Sequence, residues 1–234
     1  MRLDKLFSEL GLLSRRDCAR AAKQGEILVN GVPATRADMK VDEDTAVVFF
    51  RGERVQFSKF VYVMLNKPEG YISATTDGRA PVVTELLPDD LQRRGLFPAG
   101  RLDKDTTGFM LLTDDGQTAH RLLSPRHHVE KVYTFVLDAP LPEGAEERFL
   151  QGVALGEETC KPAGLALNSE RTEGEIVLTE GKYHQIKRMM QKEGCTVIAL
   201  RRISFGGIPL DESLAPGAWR YLTDEEREAL LSQK

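Results

Sequence analysis

The segment Gly100-Arg101-Leu102-Asp103-Lys104-Asp105-Thr106-Thr107-Gly108 packs two glycines, two carboxylates, two threonines and two cations into nine residues and runs straight into the apolar Phe109-Met110-Leu111-Leu112. Three chemistries compete for it. As a calcium loop it sets Asp103, Asp105, Thr107, Gly108 and Asp114 at positions 1, 3, 5, 6 and 12 of an EF-hand. The flanks argue against this. Pro98 and Gly100 stand where an incoming helix is required, an apolar strand falls inside the would-be loop, and Asp114 replaces the bidentate glutamate. As a simple Asx-rich turn the segment accounts for its glycines but not for Arg101. As a catalytic loop it presents a carboxylate between cations and hydroxyls at the mouth of a strand, where reactive groups are commonly displayed.

Outward from this loop the apolar segments are short and strand-like: Val61–Leu65, Gly108–Thr113, Val132–Leu137, Gly174–Thr179 and Thr196–Ile203. Helical spacing appears at Thr118–Leu123, Glu143–Gln151, His184–Glu193 and, behind a Thr223 cap, Asp224–Leu231. Strands and helices do not alternate regularly, which predicts an α+β fold with a mixed or antiparallel sheet.

The first 40 residues differ from the rest in charge. They carry eight Lys or Arg against five acids, whereas residues 60–234 have a net charge of −6. Leu3, Leu6, Phe7 and Leu10 predict an amphipathic helix ended by Gly11. Ser14 caps a second helix, which stops at Gly25, and Ile27-Leu28-Val29-Asn30-Gly31 reads as a strand entering a hairpin. The second helix offers Arg15, Arg16, Arg20 and Lys23, and Arg2 and Lys5 precede it, which together make a basic face suited to phosphates. An acidic patch, Asp42-Glu43-Asp44, follows, and the polar stretch Arg51–Lys59 is expected to be a linker between domains at 1–59 and 60–234.

Composition removes several classes. With 234 residues, 41% apolar and 29% charged, the chain is neither disordered nor fibrous. Its longest apolar run is six residues, against roughly 20 for a membrane span, and no apolar leader follows Met1, so a cytoplasmic location and no membrane partner are expected. Cys18, Cys160 and Cys195 form no CxxC pair and read as reduced, packed thiols. No G-x-G-x-x-G, P-loop or G-x-S-x-G motif occurs. His127-His128 is an adjacent pair whose side chains diverge, so neither a nucleotide cofactor nor a metal is expected.

Two resemblances complete the reading. Arg2–Lys5 (RLDK), Ser14-Arg15 and Val29–Gly31 (VNG) resemble the S4 RNA-binding module. Gly100–Gly108 matches G-R-L-D-x-x-T-x-G, the central motif of pseudouridine synthases, at every fixed position. Leu65–Gly70 resembles the first motif of those enzymes, Glu130–Tyr133 their tyrosine motif, Glu180–Met190 their basic motif, and Leu200-Arg201 with Gly206–Ile208 their closing strand. The combination is similar to the RsuA-type family. The length and the run Ser124–Lys131 are closest to members acting on small-subunit (16S) ribosomal RNA.

That resemblance implies an isomerase that breaks the N1–C1′ bond of a uridine, turns the base and joins C5 to C1′. No redox change occurs and no cofactor is required. It implies Asp103 as the catalytic carboxylate, either a nucleophile at C1′ or a base at C2′, with Lys187 keeping it ionised and Tyr133 stacking on the uracil. Arg101, Lys67 and Thr106 would bind substrate. Arg188, with the cations of the first 40 residues, would bind RNA, and the base would be flipped out of structured RNA. Lys187 stands where many relatives in the wider superfamily have Arg. Without the resemblance, Tyr133 reads as sheet core and Arg101 and Lys187 as surface cations. The expected partner is ribosomal RNA within a small-subunit precursor particle, and the protein is expected to act as a monomer. The rivals are a synthase acting on 23S ribosomal RNA, a non-catalytic S4-type RNA-binding protein, and a glycoside hydrolase using Asp103 and Asp105.

Overall fold

A computed structural model describes residues 1–43, 45–55, 57, 60–124 and 129–233. Asp44 of the acidic patch and residues 125–128 of the Ser124–Lys131 run, His127 and His128 among them, lie outside the described residues. The chain divides into two compact units, Met1–Phe60 and Val61–Lys234.

In the first unit, α1 (Leu3–Glu9) buries Leu3, Leu6 and Phe7 along one stripe. α2 (Arg15–Lys23) begins where the Ser14 hydroxyl accepts the Asp17 N–H at 3.1 Å, and it buries Cys18, Ala21 and Ala22. Strands β1 (Ile27–Val29) and β2 (Val32–Pro33) turn through Asn30 and Gly31, both at positive φ as a tight hairpin requires. Residues 51–55 of the expected linker belong to a further hairpin. β3 (Val48–Phe50) pairs antiparallel with β1, and Arg51-Gly52, again both at positive φ, turns it into β4 (Glu53–Val55). An Arg at the first turn position is a poor hairpin signal, which is why the polar stretch read as linker.

The second unit is built on β5 (Tyr62–Lys67), α3 (Asp89–Arg94), β6 (Phe97–Pro98), β7 (Thr107–Thr113), α4 (Gly116–Leu123), β8 (Lys131–Leu137) and α5 (Ala145–Gln151). A small hairpin, β9 (Ala154–Leu155) and β10 (Glu158–Thr159), follows. Then come β11 (Gly164–Leu167), β12 (Glu173–Leu178), α6 (Gln185–Lys192), β13 (Val197–Phe205), β14 (Ile208–Pro209), β15 (Trp219–Tyr221) and α7 (Asp224–Leu231). Nine strands form one sheet in the order β11-β12-β8-β13-β7-β5-β15, with β14 added on β13 and β6 on β7. Among the described residues, β13 against β7 is the parallel pair of this sheet, and the other pairs are antiparallel. Alternate residues such as Val63, Leu65, Met110, Leu112, Phe135 and Ile176 are buried in one core with Leu91, Phe149 and Met189 of the helices. Several edge strands are two to four residues long, too short for a hydrophobic period to announce them. No described helix is long and apolar enough to cross a membrane.

The parallel seam depends on one glycine. Gly108 has φ +97°, and a Cβ there would lie 2.2 Å from the Arg202 carbonyl oxygen on the neighbouring strand. Gly108→Ala is therefore expected to destabilise the second unit by at least about 2–3 kcal/mol, read as a fall of about 5–10 °C in its melting transition. A transition within about 1 °C of the parent would show that the seam tolerates a side chain.

Candidate active site

The loop between β6 and β7 is held by main-chain bonds made from a second loop, the one that follows β5. The Ser73 hydroxyl donates to the Leu102 carbonyl at 2.8 Å and accepts the Leu102 N–H at 2.9 Å. The Gly70 N–H reaches the Lys104 carbonyl at 2.9 Å, and the Thr106 N–H closes a turn on the Asp103 carbonyl at 3.1 Å. Lys67 is fully buried, and its ammonium donates to the carbonyls of Thr106 (2.8 Å), Pro68 (3.1 Å) and Lys104 (3.3 Å). Burial pushes its pKa down to about 8, against the pull of Asp105 and Asp103. Lys67, expected from the sequence to bind substrate, has no exposed surface in this structure, and its donors are turned to main-chain carbonyls that hold the loop.

The seam brings a distant segment to this loop. Asp103 lies just before β7 and α6 just before β13, so parallel neighbours carry their N-terminal flanks to the same end of the sheet. Lys187 on α6 donates to Asp105 Oδ1 at 2.6 Å and stands 3.2 Å from Asp103 Oδ2. His184 Nε2 is 3.5 Å from Asp103 Oδ1. Burial works against the charge of Lys187, but its hydrogen bonds to Asp105 and Asp103 outweigh this and raise its pKa. The Lys187 bond holds the Asp105 carboxyl below its ordinary range. One cation thus serves two carboxylates, and Asp105 is the closer.

The α6 entry is organised from below. Gln185, almost fully buried, accepts the Lys182 N–H at 2.9 Å and donates to Glu180 at 2.7 Å, while Glu180 accepts the Lys161 N–H. His184 takes a left-handed backbone (φ +47°), and its ring stacks on that of Tyr183 with centroids 3.9 Å apart.

The other expected residues fall in different settings. Tyr133, on β8, is 8% exposed in the cluster that also contains Leu102 and Ile186, the neighbours of Asp103 and Lys187. Arg101 is exposed. The Thr106 hydroxyl is buried with no hydrogen-bond partner among the described residues. Arg188, expected on the RNA surface, is half-buried and directs its guanidinium at the carbonyls of Tyr183 and Leu155, both 3.4 Å away. In the first unit Arg2 grips Asp4 with both nitrogens, Arg20 pairs with Asp17 and Lys5 with Glu9, while Arg15, Arg16 and Lys23 are exposed. The three cysteines are free and buried, and burial pushes the Cys18 thiol up to about 11, which leaves it unreactive. A groove of about 570 Å³ lies over β12, β8 and β13, lined by Thr134, Glu173, Glu175 and Arg201 among others. It includes none of Asp103, Asp105 and Lys187.

Comparison with known proteins identifies the family. Residues 61–192 match the RNA pseudouridylate synthase family, and residues 1–47 match the S4 domain. The chain belongs to the RNA pseudouridine synthases. It is 44% identical to the uncharacterized RNA pseudouridine synthase YtzG of Bacillus subtilis over 97% of this chain and 96% of that one. It is 40% identical to ribosomal small subunit pseudouridine synthase A of Escherichia coli over 97% of this chain and 98% of that one. A crystal structure of a pseudouridylate synthase superposes with a TM-score of 0.69 at 36% identity, covering 98% of this chain and 99% of that one. The synthase is thus an RNA isomerase with an N-terminal S4 domain and a mixed-sheet synthase domain.

His184, Gln185 and Ser73 carry no distinct sequence signal: His184 and Gln185 sit inside the basic motif beside Lys187, and Ser73 lies in a polar loop with no pattern of its own.

Proposed function

We propose that this synthase converts a uridine of small-subunit (16S) ribosomal RNA, presented in a precursor particle in the cytoplasm, to pseudouridine, with Asp103 as the reacting carboxylate. The observation that carries the chemistry is the Lys187 ammonium 3.2 Å from Asp103 at the mouth of β7. The ribosomal substrate is supported by 40% identity, over nearly both full chains, to relatives named for the small subunit. In the reaction the N1–C1′ bond breaks and C5 bonds to C1′. The C5 proton leaves and N1 takes one up, so the composition of the RNA is unchanged. Asp103 acts either by bonding to C1′ and being displaced by C5, or by removing the C2′ proton and returning it.

Lys187, 3.2 Å away, supplies the counter-charge to that carboxylate, and Tyr133 supports the uracil. The exposed Arg101 takes a phosphate, or the gap left by the flipped nucleotide. Thr106, with its unpaired buried hydroxyl, is a candidate donor to the substrate. Residues 1–59 grip RNA, above all through Arg15, Arg16 and Lys23, which supplies affinity with little sequence selectivity and helps offset the cost of flipping the base. Residues 60–234 carry out the chemistry, and the enzyme works as a monomer.

The test is to incubate the protein with 16S and 23S transcripts, and with precursor particles, and to map modified uridines. The expected outcome is stoichiometric pseudouridine at one 16S position. Conversion only in 23S RNA would overturn the substrate, free uracil would mean a hydrolase, and unchanged uridine in every RNA would leave only a binding protein.

A further inference from the structure

Tyr183 is the most exposed of the large hydrophobic residues in the described chain, at 75%. An exposed tyrosine alone is ordinary. This one is presented. Its ring lies nearly parallel to that of His184 (16°, centroids 3.9 Å), and the far edge of His184 is 3.5 Å from Asp103. The backbone beneath the pair is fixed by the left-handed His184, by Gln185 accepting the Lys182 N–H, and by Arg188 donating to the Tyr183 carbonyl. One ring face is thus committed to His184 and the other is turned to solvent. Near the pair in sequence, Lys182 pairs with Glu158, Lys187 with Asp105 and Asp103, and Arg188 bonds the Tyr183 and Leu155 carbonyls.

We propose that Tyr183 and His184 form a stacking platform for an unpaired nucleobase adjacent to the target uridine, and so help to select it. The inference rests on Asp103 as the reacting carboxylate. A solvent-facing aromatic ring, stacked on a residue that stands 3.5 Å from the reacting carboxylate, suits an unpaired base next to the target. A stacked base needs no particular hydrogen-bonding edge, and a ring already held in place loses little freedom on binding. The platform extends the site outward from Asp103 through His184 to Tyr183, toward the neighbouring nucleotide.

The test is steady-state kinetics on whichever ribosomal RNA transcript the parent converts, with Tyr183→Ala, Tyr183→Phe and Tyr183→Leu. Loss of one base–aromatic stack is expected to raise KM about 5- to 150-fold in Tyr183→Ala while kcat changes by less than about threefold. Tyr183→Phe should restore the parent KM and Tyr183→Leu should not, because leucine has apolar area but no π-face. A KM within about twofold of the parent in Tyr183→Ala, a loss confined to kcat, or equal rescue by Leu would overturn the platform. Adding Tyr183→Ala to Asp103→Asn and measuring equilibrium binding of the same transcript separates the two assignments. The platform predicts the same 5- to 150-fold loss of affinity there, whether or not Asp103→Asn has abolished turnover, and unchanged affinity would contradict it.

Discussion

Asp103→Asn is expected to abolish pseudouridine formation, lowering the single-turnover rate by at least about 10⁴-fold while RNA affinity stays within about threefold of the parent. Asparagine keeps the size of the side chain and its reach to Lys187 but can neither bond to C1′ as a carboxylate nor accept the C2′ proton. The loop around it is held mainly by main-chain bonds, to Ser73, Gly70 and Lys67, so the exchange should leave the fold in place. Rapid mixing of saturating enzyme with RNA, followed by counting of pseudouridine, isolates the chemical step from product release. Retention of more than about a tenth of the parent rate would remove Asp103 from the reaction.

Lys187→Met is expected to lower turnover by about 10²- to 10³-fold, the scale on which losing one preorganised charge acts in an active site. In the parent, the Lys187 pKa is raised by Asp105 and Asp103, so its contribution is complete below its ordinary value of 10.5 and is lost only as pH climbs past that. The Asp105 pKa is lowered by the same bond, so its contribution is present above its ordinary 3.8 and is lost as pH falls below that. Between these limits the Lys187–Asp105 pair stays charged. Methionine keeps the aliphatic length and removes the charge, so the Asp105 carboxyl loses the bond that lowers its pKa and protonates more readily, and the acid limb of the pH–rate profile should move to higher pH. Lys187→Arg should retain partial activity, since the charge survives and the geometry alone changes. A profile of unchanged shape in Lys187→Met would show that the cation does not govern ionisation of the site.

Much of this molecule is legible from sequence, for local reasons. The Leu3-Leu6-Phe7 stripe, the Ser14 cap and Asn30-Gly31 each specify their own backbone, and the absence of strand–helix alternation already implies the mixed sheet. Gly108 is readable as a fixed motif position, but its cause, the carbonyl of Arg202 across the seam, belongs to a strand some 90 residues later. The setting of Lys67 is hidden for the same reason: only tertiary contacts bring the three carbonyls to its ammonium. The β3–β4 hairpin is hidden because its turn begins with Arg51. Asp105 is visible in the sequence as a second carboxylate, whereas its place as the nearer partner of Lys187 is set by how α6 meets the β7 loop.

That last contact makes Asp105 a real competitor for the catalytic role. The most direct measurement is therefore the single-turnover rate of Asp105→Asn beside that of Asp103→Asn, on the same transcript at saturating enzyme. With Asp103 as the reacting group, Asp105→Asn stays within about tenfold of the parent while Asp103→Asn yields no pseudouridine. Equal losses at both positions, or a greater loss at Asp105, would contradict the assignment.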